Sequence, residues 1–281
     1  MLRLHLLQYA SRLGDVEYNI SRLRSYAKAN CRGDGADVLI TPELYVPGYM
    51  SRDLLFHVAE PLNGRIVGEL ASIAKDFGCT IITGMAERDP DTGVLYNTAV
   101  AVGPNGLLAH YRKRHLPSYG VFDEARYFGI GKGDVPVFTV NGSRLSMAIC
   151  YDAFYPEVSR AMMLKGAELQ VYISAAPDMS RMHFETFIRA RAMENVSYVA
   201  YVNTVGQYDG LGFFGGSFVV DPLGEVLAKA KYYDEDSVVV EVNTSMIREY
   251  RSIRPILKDL SAEDVEYVYR NYRRSYINEP W

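Results

Sequence analysis

The apolar positions of this chain switch repeatedly between two periods. Leu2 to Gln8 alternates and predicts a strand. From Asp15 to Ala29, Val16, Ile20, Leu23 and Ala27 recur at helical spacing. Ala36 to Ile40 is a short apolar run that predicts a buried strand, ending at Thr41-Pro42-Glu43. Asn63 to Phe77 predicts a helix with Ile66, Val67, Leu70, Ile73 and Ala74 on one face, and Cys79 to Gly84 predicts another strand. The first third therefore reads strand–helix–strand–helix–strand, the pattern of an α/β layer.

The middle of the chain changes character. Tyr96 to Val102 and Leu107 to Tyr111 flank Pro104-Asn105-Gly106 and predict a hairpin, because Asn-Gly tolerates positive φ. Val137 to Val140 and Arg144 to Ile149 flank Asn141-Gly142 in the same way. A helix over Glu157 to Lys165, a strand over Leu169 to Ser174, a helix over Met182 to Asn195 and a strand over Ser197 to Asn203 follow. Ser217 to Val220 and Glu225 to Lys231 form a third hairpin around Asp221-Pro222-Leu223-Gly224, and Ser237 to Val242 is a last strand. Crossovers mixed with hairpins suit two mixed sheets packed face to face, each covered by helices, better than a single doubly wound sheet. With no internal repeat or low-complexity linker, residues 1–245 read as one domain. Residues 246–281 are a Tyr- and Arg-rich tail that either folds over its own domain or is exchanged across an oligomer, since these residue types make interface anchors.

Bulk properties narrow the function. The 281 residues are 48% hydrophobic, enough for a large core, and the formal net charge of -4 gives no footprint for nucleic acid. The three cysteines are odd in number, far apart and free of any CxxC or metal-ligand spacing, which points to a reducing compartment and to no metal. The N-terminal stretch lacks a signal-peptide apolar region, and no apolar run approaches the roughly 18 residues of a membrane span. The expectation is a cytoplasmic protein with neither a nucleic-acid nor a membrane partner.

Candidate chemistry sits at the ends of the predicted strands. Cys150 ends the apolar run Leu145 to Ile149, and Pro156-Glu157 then opens a helix, so Cys150 lies on a tight strand-to-helix bend rich in unpaired backbone N–H groups. A thiol there is a candidate nucleophile with a lowered pKa. Glu43 follows the strand Ala36–Ile40, and Lys113 follows Leu107–Tyr111. Each has an ordinary reading alone: a small buried hydrophobe, a cap or loop carboxylate, a solvated lysine. Together, all three stand at strand C-terminal ends, where α/β sites are built.

With these residues in view the chain resembles the nitrilase, or carbon–nitrogen hydrolase, superfamily, over roughly residues 1–245. Glu43 in Pro-Glu-Leu-x-x-x-Gly-Tyr is similar to the family's general base, Lys113 in Tyr-Arg-Lys-x-His-Leu to its lysine, and Cys150 in Cys-Tyr-Asp-x-x-Tyr-Pro-Glu to its nucleophile. Glu124 stands where the family has a second glutamate that orients substrate and lysine. Arg189 to Asn195, Gly215 to Gly224, and Gln8 with Gly14, Asp15 and Asn19 match further family segments. The resemblance implies an αββα sandwich, a homodimer or higher homo-oligomer, no cofactor, and a substrate pocket involving Tyr49, Tyr119, Tyr151, Ser174, Ala175 and Ala176.

The implied reaction is hydrolysis of a small carboxamide to acid and ammonia through a cysteine thioester. Lys113 and the Tyr151 backbone N–H would stabilise the oxyanion, and His115 would play a supporting part. Tyr151-Asp152 after the cysteine favours amide over nitrile. Arg114 to Phe128 resembles the glutamine-amidase domain of NAD synthetases, yet no Ser-Gly-Gly-x-x-Ser-type loop is present. Ile173 to Pro177 and Met179 are expected to line a pocket for a small or apolar acyl group. A nitrilase and a non-catalytic scaffold or ammonia-delivering subunit are the alternatives. A Rossmann dehydrogenase is not, because no Gly-x-Gly-x-x-Gly follows the first strand.

Overall fold

Alternation along each strand sends odd and even residues into different layers. A computed structural model describes residues 1–33 and 35–278, with side chains to residue 273. The first sheet contains β1 (Leu2–Gln8), β2 (Val38–Ile40), β3 (Thr80–Arg88), β4 (Leu95–Gly103), β5 (Gly106–Arg112) and β14 (Asp236–Val242), in the order β14-β1-β2-β3-β4-β5. The second contains β6 (Phe138–Val140), β7 (Ser143–Ile149), β8 (Leu169–Ser174), β9 (Tyr198–Asn203), β12 (Phe218–Val220) and β13 (Val226–Lys229), in the order β13-β12-β9-β8-β7-β6. Leu4, Leu6, Val38, Ile40 and Ile82 pack toward the second sheet, against residues such as Met147, Val171 and Val199. Their neighbours Leu7, Leu39 and Ile81 point the other way, onto α1 (Val16–Asn30) and α3 (Arg65–Phe77). The second sheet is covered on its outer face by α5 (Pro156–Leu164) and α6 (Arg181–Asn195), through Met162, Phe184, Ile188 and Ala192. The result is the αββα sandwich.

The long predicted elements are present with ends moved by a residue or two, and β3 runs on to Arg88. Several shorter ones carry no strong period and were not expected. They are the hairpin β10 (Val205–Tyr208) with β11 (Leu211–Phe214), and the one-turn helices α2 (Leu55–Val58) and α4 (Glu124–Tyr127). The tail is helical: α7 (Ile247–Ile253), α8 (Ile256–Asp259) and α9 (Ala262–Asn278). It divides in two. Ile247 is buried and Arg251 donates to the Ala167 carbonyl, whereas the α9 side chains described are exposed, including Tyr267, Tyr269 and Tyr272. Among the described residues no helix is long and apolar enough to cross a membrane.

Candidate active site

The C-terminal ends of β2, β5, β7 and β8 meet at one edge of the sandwich. Glu43, three residues past β2, is buried at 1% exposure. Its Oε1 accepts from Lys113 Nζ at 2.6 Å and from Asn97 Nδ2 at 2.7 Å, while Oε2 accepts from the Ala175 backbone N–H at 2.8 Å. Lys113, directly after β5, is fully buried, and its Nζ also donates to Glu124 Oε1 at 2.7 Å. Tyr49 Oη donates to the same oxygen at 2.7 Å. Two buried carboxylates thus share one buried ammonium.

That count of charges sets the electrostatics. Burial pulls the Lys113 ammonium down, but Glu124 and Glu43 outweigh it and hold it above the usual lysine range. Burial pushes Glu124 up to about 7, Lys113 works against that rise, and Glu43 adds to it. Glu124 Oε2 is buried and has no hydrogen-bond partner among the described residues.

Cys150 opens a 3₁₀ turn, Cys150–Phe154, at the end of β7, and α5 follows with Pro156 in its first turn. Its backbone has φ 47, in the left-handed region, and Leu44, next to Glu43, has the same φ. Such non-glycine residues cost roughly 1–3 kcal/mol each and persist where the surroundings over-determine them. The turn is held from two sides. Arg191 of α6 donates to the carbonyls of Ala153 at 2.9 Å and Phe154 at 3.3 Å. Asp152 accepts from Tyr111 Oη at 3.0 Å and from the His115 backbone N–H at 3.0 Å, and lies 2.7 Å from His115 Nδ1. The His115 ring stacks on Tyr155 with centroids 3.4 Å apart. Asp152 therefore ties the Lys113 segment, through His115, to the Cys150 turn.

One expectation is reversed. Burial pushes the Cys150 thiol well above its usual range and the Glu43 and Glu124 charges add to it, while Lys113 and the neighbouring Ser174 hydroxyl pull it down. Lys113 acts in the expected direction, but burial and the two carboxylates outweigh it and favour the neutral thiol.

The structure brings Glu43, Lys113, Glu124 and Tyr49 into direct contact, with Cys150 electrostatically coupled to all of them. Ser174, Ala175 and Ala176 are buried at the end of β8, where Ala175 serves Glu43 and the Ala176 N–H bonds to Asn203 Oδ1 at 2.8 Å. Tyr119 is 55% exposed on a loop, its ring 5.7 Å from that of Tyr151. Ile173 is core and Met179 is 63% exposed, so of the expected acyl-pocket stretch these two stand apart from the buried Ser174–Ala176 segment. A cavity of about 180 Å³ is lined by Glu124 together with Tyr49, Arg52, Phe122, Arg126 and Phe128. A larger open hollow lined by Arg3, His5, Asn30 and Glu241 contains none of the candidate residues.

Two contributors were missed. Asn97 on β4 fixes Glu43, and an asparagine inside a strand pattern carries no signal by itself. Gly84 on β3 lets the chain pass beneath Glu43: a Cβ there would stand 2.1 Å from Leu44 N and 2.9 Å from the Glu43 carbonyl carbon. Gly84→Ala is expected to displace Glu43 and cut turnover about a hundredfold, the usual cost of a misplacement near 1 Å. Steady-state rates beside a thermal melt check this; an unchanged rate would mean that the strand absorbs the methyl.

Three comparisons bear on this arrangement. Residues 3–252 match the family model described as Carbon-nitrogen hydrolase. The chain is 38% identical over 272 residues to an (R)-stereoselective amidase from Pseudomonas sp, covering 95% of both chains. It is 34% identical to the glutamine-dependent NAD(+) synthetase of Aquifex aeolicus over 86% of this chain, but spans 42% of that protein. A solved mutant of the amidase from Nesterenkonia sp. AN1, with the acetamide moiety of fluoroacetamide added covalently at its active-site cysteine, superposes with a TM-score of 0.81 at 28% identity over 96% of both chains.

Proposed function

The chain belongs to the carbon–nitrogen hydrolase family, and from that premise we propose that it hydrolyses a small carboxamide to a carboxylic acid and ammonia, with Glu43, Lys113 and Cys150 as its catalytic triad. The observation that carries the reading is the buried Lys113 ammonium held between Glu43 and Glu124 beside Cys150. Because burial and the neighbouring carboxylates favour the neutral thiol, attack is coupled to proton transfer. Cys150 Sγ bonds to the amide carbon as its proton passes to Glu43. The carbonyl oxygen becomes an oxyanion that accepts from Lys113 and from the Tyr151 backbone N–H. Lys113 has three donors and spends two on carboxylates, which leaves one for this purpose. Glu43 then protonates the departing nitrogen, the C–N bond breaks, and a thioester remains. Water, deprotonated by Glu43, attacks the thioester; the acid leaves and the thiol regains its proton. Glu124 holds Lys113 and offers Oε2 to an N–H of the amide.

The Pseudomonas amidase, similar over nearly its whole length, favours an amide over a nitrile. The test is ammonia release from a panel of ω-amides, glutamine, aliphatic and aromatic amides and their matching nitriles, with Cys150→Ala protein as the blank. Cys150-dependent release from an amide with none from its nitrile is expected. Release from nitriles alone would replace the amidase reading by a nitrilase.

A further inference from the structure

The outer face of the second sheet carries a row of polar side chains under α5 and α6, and most of them are paired. Ser159 Oγ donates to Gln170 Oε1 at 2.6 Å, Gln170 Nε2 donates to Ser197 Oγ at 3.0 Å, and Tyr172 Oη donates to Gln170 Oε1 at 3.3 Å. Two hydroxyls on the same face break the rule. Ser174 Oγ and Tyr201 Oη are buried and make no hydrogen bond of ordinary geometry among the described residues, although Ser174 interacts with both the Cys150 thiol and the Tyr201 hydroxyl. A buried hydroxyl without a partner carries a desolvation cost, so each such group requires a reason.

The strand register supplies one. β7 and β8 run parallel with Ile149 beside Ile173, so the next residues, Cys150 and Ser174, are neighbours. β8 and β9 run parallel with Tyr172 beside Tyr201, two residues before Ser174 and on the same face. The Tyr201 ring is wedged between Phe184 and Phe218, with centroids at 5.3 and 5.4 Å, which leaves its hydroxyl little freedom. Ser174 thus lies next to the thiol, and Tyr201, one strand further across, lies against Ser174. A thiol is a weak acceptor, whereas a thiolate or developing thiolate is a strong one.

We propose that Ser174 and Tyr201 are positioning residues for Cys150: Ser174 donates a hydrogen bond to Sγ once its proton has left, and Tyr201 holds the Ser174 hydroxyl in that orientation as charge builds. The inference rests on the reading of Cys150 as nucleophile. It also answers the main difficulty of that reading, since a thiol raised by burial needs groups that favour its ionised form. Burial and the Cys150 charge hold the Tyr201 phenol well above its usual range, so it keeps its proton to donate. The other polar groups that face Cys150 are Glu43, Lys113, Glu124, Tyr49 and Tyr119, and all are retained in the variants below.

The test is the rate of Cys150 alkylation by iodoacetamide as a function of pH, corrected with Cys150→Ala protein. Wild type is compared with Tyr201→Phe, Ser174→Ala and Ser174→Thr. Loss of one hydroxyl is expected to slow alkylation at neutral pH about tenfold and to move the inflection up by about one pH unit, one charged hydrogen bond's worth. With a substrate from the panel, kcat should fall and KM should stay, and Ser174→Thr should retain the wild-type profile. Unchanged inflections in both Tyr201→Phe and Ser174→Ala would overturn the proposal, as would a raised KM with the inflection in place, which would make the hydroxyls substrate ligands. Tyr201→Phe keeps the ring packing; if it fails to fold, Ser174→Ala reads the same quantity. The two layers fail separately: no Cys150-dependent ammonia release sinks the hydrolase reading, while release with unmoved alkylation profiles sinks this inference alone.

Discussion

Cys150→Ser is expected to lose turnover by about 10⁴-fold or more while keeping its melting temperature. The change is nearly isosteric, and Cys150 sits on a turn pinned by Arg191 and by the Asp152 clamp, so the backbone has no reason to move. The chemistry is another matter. Burial already pushes the thiol upward, and the neighbouring carboxylates push further. An alcohol starts far above a thiol, so the same surroundings leave the serine hydroxyl beyond the reach of Glu43 as base. The Ser174 hydroxyl would also become a direct hydrogen-bond partner for the new oxygen, stabilising the inactive ground state. Ammonia release in the panel, with mass spectrometry for an acyl group on residue 150, checks this. A serine variant within tenfold of wild type would overturn the nucleophile assignment.

Glu43→Gln is expected to lose about 10³-fold in turnover, within the range of a general base, and to be less stable by about 1–3 kcal/mol. The second effect follows from counting donors. Oε1 accepts from Lys113 and Asn97, and Oε2 accepts from the Ala175 N–H. An amide has one acceptor oxygen and two N–H groups, so whichever way it is turned at least one buried donor faces another. Charge limits the damage. With Glu43 neutral, Lys113 and Glu124 become a balanced pair, and the upward push of Glu43 on Glu124 is gone. Melting curves separate the two effects, provided rates are taken well below the transition of the variant. Full activity at lowered stability would leave Glu43 as a structural carboxylate and move the base elsewhere.

How much of this was legible in advance depends on the range of the interaction. Strand and helix positions were legible because they rest on periods within ten or fifteen residues and on local punctuation such as Asn105-Gly106 and Asn141-Gly142. The candidate residues were legible for the same reason: Glu43, Lys113 and Cys150 each follow the C-terminal end of a strand, and a strand end is a local feature. The β10–β11 hairpin was not, although Asp209-Gly210 is a turn signal, because Gly206 and Gly212 blur the alternation around it. The tail, read by composition, hid the boundary between docked α7 and exposed α9.

By itself, then, the sequence determined the layers, the ends at which chemistry collects, and the residue types available there. Only the tertiary structure decided how those residues behave. Asn97 reaches Glu43 across 54 positions of chain, and Ala175 reaches it across 132. Gly84 matters for the space beneath another segment, and Asp152 for joining two loops. Ser174 and Tyr201 stand out because, although they lie against each other and Ser174 lies against the thiol, neither makes a hydrogen bond of ordinary geometry. The direction of the Cys150 shift belongs to the same class: a lysine nearby suggests a lowered pKa, but burial and two carboxylates reverse it. Desolvation and Coulomb energy depend on distances between segments far apart in sequence, and no local pattern encodes those distances.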